Sequence, residues 1–399
     1  MVLAVDPYLV DWLDLVFRWF HVTAAIVWIG TSFYFVALDN HLDPPREERD
    51  RERGVGGETW EIHGGGFYRI EKFRVAPQRL PDPLHWFKWE AYWTWISGFT
   101  LLVVLYYLQP RTYLIDPSVA NLSTWVAILI SIGGLAIAWI VYDILCRTIR
   151  SELVLGLLVL AGLVAAAYGS SQLFAARAAY LQVGAMLGTI MVANVFFVII
   201  PAHRELVHAK ESGRDPDPAA NVRGKRRSVH NNYFTLPVLF AMLAGHWPFL
   251  YGHAHAWIVL VLLMAIGASI RHYFNNRHAG RTLWWIPVGA AVALAGIAIW
   301  LRPAPTPAAA TPVEFAPVYR IVQERCAYCH SLRPRSTEFT SPPKGIVFDT
   351  PQEIASQAQL IETVAVQTHV MPFGNVTHMT QAERNELGAW IAAGAKLRK

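Results

Sequence analysis

The sequence predicts an all-α protein in two parts, a polytopic bundle of about eight transmembrane helices and a small soluble helical domain. Three observations predict it. First, 54% of the 399 residues are hydrophobic and only 16% charged, with a mean hydropathy of +0.30, a balance rare in soluble chains. Second, apolar runs near the 20 or so residues that cross a bilayer recur, near 9–38, 86–108, 122–145, 152–170, 177–200, 232–251, 254–274 and 283–302. Third, the composition changes after residue 302: Pro303-Ala-Pro-Thr-Pro-Ala-Ala-Ala-Thr-Pro312 reads as a semi-extended tether before a polar C-terminal segment. The expected organisation is a membrane domain at 1–302, a Pro/Ala linker at 303–312 and a soluble domain at 313–399.

The soluble part carries Cys326-Ala-Tyr-Cys329-His330. C-x-x-C-H attaches a c-type haem: two thiols bond the porphyrin vinyls and the histidine ligates iron. A zinc site would need a second ligand pair at suitable spacing, and none follows. A helix from Val313 to Arg325 runs into the motif. Another runs from Gln381 to Ala395, with Thr380 as N-cap, Glu383 completing a capping box, and Leu387, Trp390 and Ile391 on its apolar face. This is the pattern of a small class I cytochrome c. His330 is the expected proximal ligand, and Met371 in Met371-Pro-Phe-Gly-Asn-Val-Thr377 the expected sixth, with Met379 and His369 as rivals. The third cysteine, Cys146, closes an apolar run and reads as a small buried hydrophobe.

Covalent haem requires an extracytoplasmic domain, and an even number of spans puts the N-terminus on the same side. Charge agrees. The loops then assigned to the cytoplasm hold Arg46, Arg49, Arg51, Arg53, Arg69, Lys72, Arg74, Arg79, Arg147, Arg150, Arg204, Lys210, Arg214, Arg223, Lys225, Arg226, Arg227, Arg277 and Arg281, while the opposite loops hold little beyond Arg111, Arg177 and Arg302. The net charge of +5 therefore reads as a positive-inside bias toward the lipid bilayer, with no nucleic-acid partner expected. No basic flank or small-residue cleavage site marks a signal peptide, so the first helix is expected to direct insertion. The first cytoplasmic loop is long; Thr59 to His63, Gly64 to Gly66 and Phe67 to Arg74 read as a β-hairpin about a glycine turn.

Ionisable residues inside spans are costly and point to function. His21 and His246 fall in the outer half of the membrane, where they would ligate a b-type haem beneath the soluble domain, with His255 as a substitute for either; the alternative is that each only hydrogen-bonds a neighbouring helix. On the cytoplasmic side gather His63, His85, His203, His208, His230 and His272 with Arg204, Arg227 and Arg271. Loop histidines are mostly solvated singly; together they offer cations and bases to a planar, anionic, proton-releasing substrate. His63-Gly-Gly-Gly66 has the form of a lipase oxyanion loop, but no G-x-S-x-G elbow accompanies it, which excludes that hydrolysis.

Over nearly its whole length the chain resembles the membrane-bound bacterial urate oxidase (urate hydroxylase) family. The stretches that carry this are His21-Val-Thr-Ala-Ala-Ile-Val-Trp-Ile-Gly-Thr-Ser-Phe-Tyr-Phe35, Glu61-Ile-His-Gly-Gly-Gly-Phe-Tyr68, His85-Trp-Phe-Lys-Trp-Glu90, Arg227-Ser-Val-His-Asn-Asn-Tyr-Phe-Thr-Leu-Pro-Val-Leu-Phe240 and Met371-Pro-Phe-Gly-Asn-Val-Thr377. Ala244-Gly245-His246-Trp247-Pro248 departs from the family, in which a Ser-Asn pair precedes the histidine. The first helix is also similar to the haem-binding first helix of the membrane protoporphyrinogen oxidases. The resemblance implies oxidation of urate to 5-hydroxyisourate at a bacterial inner membrane, with electrons leaving through haem c (and haem b in the bundle) to a soluble cytochrome or terminal oxidase. His63, His85 and Arg204 are the candidate catalytic residues, Cys326, Cys329, His21 and His246 the cofactor-binding ones, and His330 and Met371 the iron ligands. The competing class is a non-catalytic b/c-type relay from quinol or a partner dehydrogenase. A transporter would need Gly/Pro-broken helix pairs in matching halves, which the chain lacks.

Overall fold

In the computed structural model, which describes residues 6–302 and 314–397, each apolar run named above is helical over most of its length. The tether expected at 303–312 lies outside the described residues. Helix α1 spans Pro7–Asn40 and opens on Pro7 with Asp6 as N-cap. Helix α2, Trp89–Leu101, continues through a wider π-type turn, Leu102–Tyr107. Helices α3 (Thr124–Thr148), α4 (Glu152–Leu173), α5 (Ala176–Glu211, widened at Val195–Ile199), α6 (Pro218–Leu243), α7 (Ala256–His278) and α8 (Trp285–Trp300) follow.

Five of these, α1, α3, α4, α5 and α7, are long and apolar enough to cross a membrane; α8 is apolar but shorter. Their outward residues are large and bare, Leu153 and Ile299 among them at 74% and 75% exposure. The core lies around α5, whose Val183, Leu187 and Met191 pack with Val238 and Ala241 of α6 and Val259, Leu260 and Met264 of α7. Small residues let these axes approach: a Cβ on Gly184 would lie 3.0 Å from that of Ala241.

The expected hairpin is present. Strands β1 (Val55–His63) and β2 (Gly66–Phe73) pair antiparallel, His63 opposite Gly66, and the turn needs Gly64 and Gly65 because both sit at positive φ, 59° and 82°. Its base is tied by Arg69, which pairs with the nearly buried carboxylates of Asp50 and Glu58 and holds both below the usual carboxylate range. Lys72 pairs with Asp39, and Tyr34 donates to Glu61 at 2.8 Å, so the hairpin runs back along α1 toward its middle.

The C-terminal unit is helical. Helices α9 (Phe315–Arg325) and α10 (Gln381–Ala392) meet through Phe315 and Trp390, whose ring centroids lie 5.5 Å apart, over a core that includes Val318, Ile321, Val322, Phe348, Ile354 and Leu387. The capping box of Thr380 and Glu383 forms as expected, and Glu383 also pairs with Arg325. The unit seats on one end of the bundle. Thr340 donates to Asp11 at the start of α1, Phe373 meets Tyr113 in the α2–α3 connection, and Thr368 and Val370 crowd Gly252 in the α6–α7 connection. All three contacts are with the end that the charge pattern assigns outside.

Candidate functional site

The C-x-x-C-H loop follows α9 directly. Cys326 and Cys329 form no disulfide with each other or with Cys146. Among the described residues no three His, Cys, Asp or Glu side chains converge at ion-holding spacing, so the two thiols and His330 do not close on one point. Two thiols and an imidazole spread along one loop suit a porphyrin edge better than a single ion. His330 Nδ1 stands 3.1 Å from the Ile346 carbonyl, which can only accept, so Nδ1 carries the proton and Nε2 keeps its lone pair. Met379 is buried in the core with its N–H held by Asn375, whereas Met371 is half-buried on a loop pinned by Arg384, which donates to the Met371 carbonyl at 2.8 Å. His369 lies on the same loop at φ 54°. The donor set fits a haem: His330 offers a free Nε2, and Met371 lies on a half-buried loop rather than in the core as Met379 does.

His21 shows the same tautomer logic. Its Nδ1 donates to the Thr94 carbonyl at 2.9 Å, with Ser97 Oγ at 3.2 Å, leaving Nε2 unbonded. The ring lies over Gly98, where an added Cβ would come 2.7 Å from Cε1. Gly98→Ala therefore has to displace the imidazole. If His21 carries an iron, the variant loses the b-type signal from its visible spectrum while keeping the c-type one; an unchanged spectrum removes His21 as a ligand. His246 is placed differently from its expectation inside a span: α6 ends at Leu243, and His246 sits exposed in the 3₁₀ turn Ala244–His246, edge-on to the Trp247 ring. Pro248 disfavours helical angles at Trp247, which sits at φ −120° and ψ 86°, and the helix stops before it. His255 caps α7 and stacks on Trp300.

The other end of the bundle is polar inside. Between α3, α5 and α6, Tyr142 Oη stands 2.8 Å from His230 Nδ1 and accepts from Asn194 Nδ2 at 3.2 Å, while His230 Nε2 reaches Glu152 of α4 at 3.2 Å. Arg227, 5% exposed, pairs with Asp143 at 2.6 Å and lies over the Tyr142 ring. On the opposite side of α6, Asn232 accepts from Arg271 Nε at 2.7 Å, and the Arg271 guanidinium lies 4.0 Å over the Phe33 ring of α1. Asn194 Oδ1, Arg227 Nη1, Arg271 Nη2 and Asn275 Oδ1 are buried without a partner. Buried polar atoms are normally satisfied, so this many orphans at one end marks a place for something else.

The expected catalytic trio is not gathered there. His63 is exposed at the hairpin tip, His85 is exposed and edge-on to Phe87, and Arg204 is exposed near the end of α5. Sequence reasoning placed Arg227 in a cytoplasmic loop and counted Arg271 among the bases of the cytoplasmic side. The signal was available for Arg271, which stands inside the apolar run 254–274. Asn194 and Asn275 carry none.

Comparison with known families matches residues 7–302 to the family model described as urate oxidase N-terminal. Comparison with curated proteins and with solved structures returns no match.

Proposed function

The chain belongs to the urate oxidase N-terminal family, and from that membership we propose a membrane-bound enzyme that hydroxylates urate to 5-hydroxyisourate and delivers the electrons to a c-type haem. The observation that carries this reading is a family match over the whole helical bundle in a chain that goes on to Cys326-Ala-Tyr-Cys329-His330. The reaction balances without dioxygen: urate monoanion plus water gives neutral 5-hydroxyisourate, one proton and two electrons.

Each product of that balance has residues suited to it. For the proton, Tyr142, His230 and Glu152 form a hydrogen-bonded line from buried Asn194 to a carboxylate that is 62% exposed. His63, His85 and Arg204, being exposed, suit capture of the anion at the mouth rather than chemistry on it. For the electrons, His330 and Met371 would hold the iron, with Cys326 and Cys329 as thioether anchors. Held by these residues, a haem would supply one-electron chemistry toward a soluble cytochrome or terminal oxidase. His21 would serve a second haem between the substrate end and the C-terminal unit.

The test is anaerobic. Urate added to air-oxidised membranes containing the protein should reduce the c-type haem promptly, and His330→Ala should abolish that reduction. Reduction by quinol but not by urate would replace the enzyme with a relay.

A further inference from the structure

Arg271 is a cation whose setting calls for an anion. It is 4% exposed and, among the described residues, forms no ion pair. Its Nε is spent on Asn232, which is itself tied to Ser32 of α1, and its face is covered by Phe33. Nη2 points into the interior with no acceptor. Arg227, equally buried, is neutralised by Asp143, so the contrast lies in charge and not in depth. An isolated buried charge is among the least favourable arrangements a fold can hold, and it persists where a ligand completes it.

A second orphan lies beside it. Asn275 Oδ1, one helical turn further along α7, is buried with no donor. Residues four apart share one face of a helix, so a guanidinium N–H and an amide oxygen there can offer a donor and an acceptor to one ligand. Urate offers the complement: carbonyl oxygens and a deprotonated ring nitrogen alternating with ring N–H groups, in one plane and with one negative charge. We propose that Arg271 and Asn275 form the seat of the substrate anion, Arg271 Nη2 donating to an oxygen or the anionic nitrogen and Asn275 Oδ1 accepting from a ring N–H.

The approach to the seat is built from the same two helices. His41 and His278 face each other at 5.1 Å where α1 and α7 end, about one turn beyond Asn275, and Lys72 closes on Asp39 nearby. The substrate therefore enters from the arginine-rich end, opposite the C-terminal unit. Asn232 is a positioning residue: it fixes the guanidinium plane and does not itself touch the ligand.

The seat rests on the urate reading, and binding measured without turnover separates the two. In full-length haem-loaded protein reduced beforehand with dithionite, equilibrium dialysis with labelled urate should show saturable binding. Arg271→Gln should weaken it on the order of 100-fold, the loss of a charge-assisted contact together with its buried anion partner. Asn275→Asp gives the decisive arm. An aspartate there supplies Arg271 with an internal anion, so the variant should melt at a higher temperature than wild type while losing urate binding. Folded Asn275→Asp or Arg271→Gln protein that binds urate as wild type does overturns the seat and leaves the urate reading standing. Failure of wild type to bind urate at all overturns both.

Discussion

With the electron path proposed above, Gly252→Val should slow urate-driven reduction of the c-type haem several-fold while leaving the haem spectrum and its reduction by ascorbate unchanged. The expectation comes from space, not from backbone conformation. Gly252 has ordinary helical angles, φ −85° and ψ −2°, so any residue could adopt them. What it lacks is room: a Cβ there would fall inside contact distance of Thr368 and 2.8 Å from both the Pro248 carbonyl oxygen and Val370 Cγ2. Thr368 and Val370 lead into the loop that carries Met371. Two residues after Pro372, Gly374 makes an equally close approach, 3.0 Å from its added Cβ to the Arg111 carbonyl oxygen. The face of the C-terminal unit that holds the Met371 loop is thus the face pressed against the bundle. A valine at 252 must push that loop away or bend it, and electron transfer between fixed centres slows as they are moved apart. The ascorbate control separates a lost path from a damaged haem site. An unaltered urate-driven rate would mean that electrons reach the C-terminal unit elsewhere.

What the sequence made legible follows from how local each signal is. The helices were readable because an apolar run of bilayer length leaves the backbone no alternative to internal hydrogen bonding. The hairpin was readable because Gly64 and Gly65 stand between two alternating runs. The α10 capping box lies within four consecutive residues, and C-x-x-C-H within five. Those are the features with short sequence range. The interior polar network is not local. Asn194, Tyr142 and His230 come from three helices, and an asparagine in an apolar run looks the same whether it bonds a neighbour or faces a ligand. The exposed candidates drew attention for the opposite reason: His63 and His85 are conspicuous in sequence because loops are polar, and polarity there is ordinary. Arg271 could be placed inside a helix from sequence, but its want of a counter-ion appears only when α1, α6 and α7 are seen together.

Arg227→Met is the substitution expected to damage the bundle most. Arg227 donates to Asp143 at 2.6 Å, and its guanidinium carbon stands 4.9 Å from the Tyr142 centroid and 5.8 Å from that of Trp139. Removing one partner of a buried pair costs about 3–5 kcal/mol, because the remaining charge keeps its desolvation penalty and loses its compensation. Asp143 would retain Arg147, 2.6 Å away, but that side chain is 69% exposed and holds its pairing in competition with water, so the lower end of the range applies, about 3 kcal/mol. The loss reaches the proton line as well, since Tyr142 then rests on a methionine rather than on a cation fixed to α3. Thermal unfolding of the detergent-solubilised protein, followed by tryptophan fluorescence, should show a marked fall for Arg227→Met. Much of that fall should be recovered when Asp143→Asn is added, because the double variant leaves no unpaired buried charge. Single and double variants of equal stability would mean that the pair is solvated in the folded protein, and the cost assigned here to burial would then be wrong.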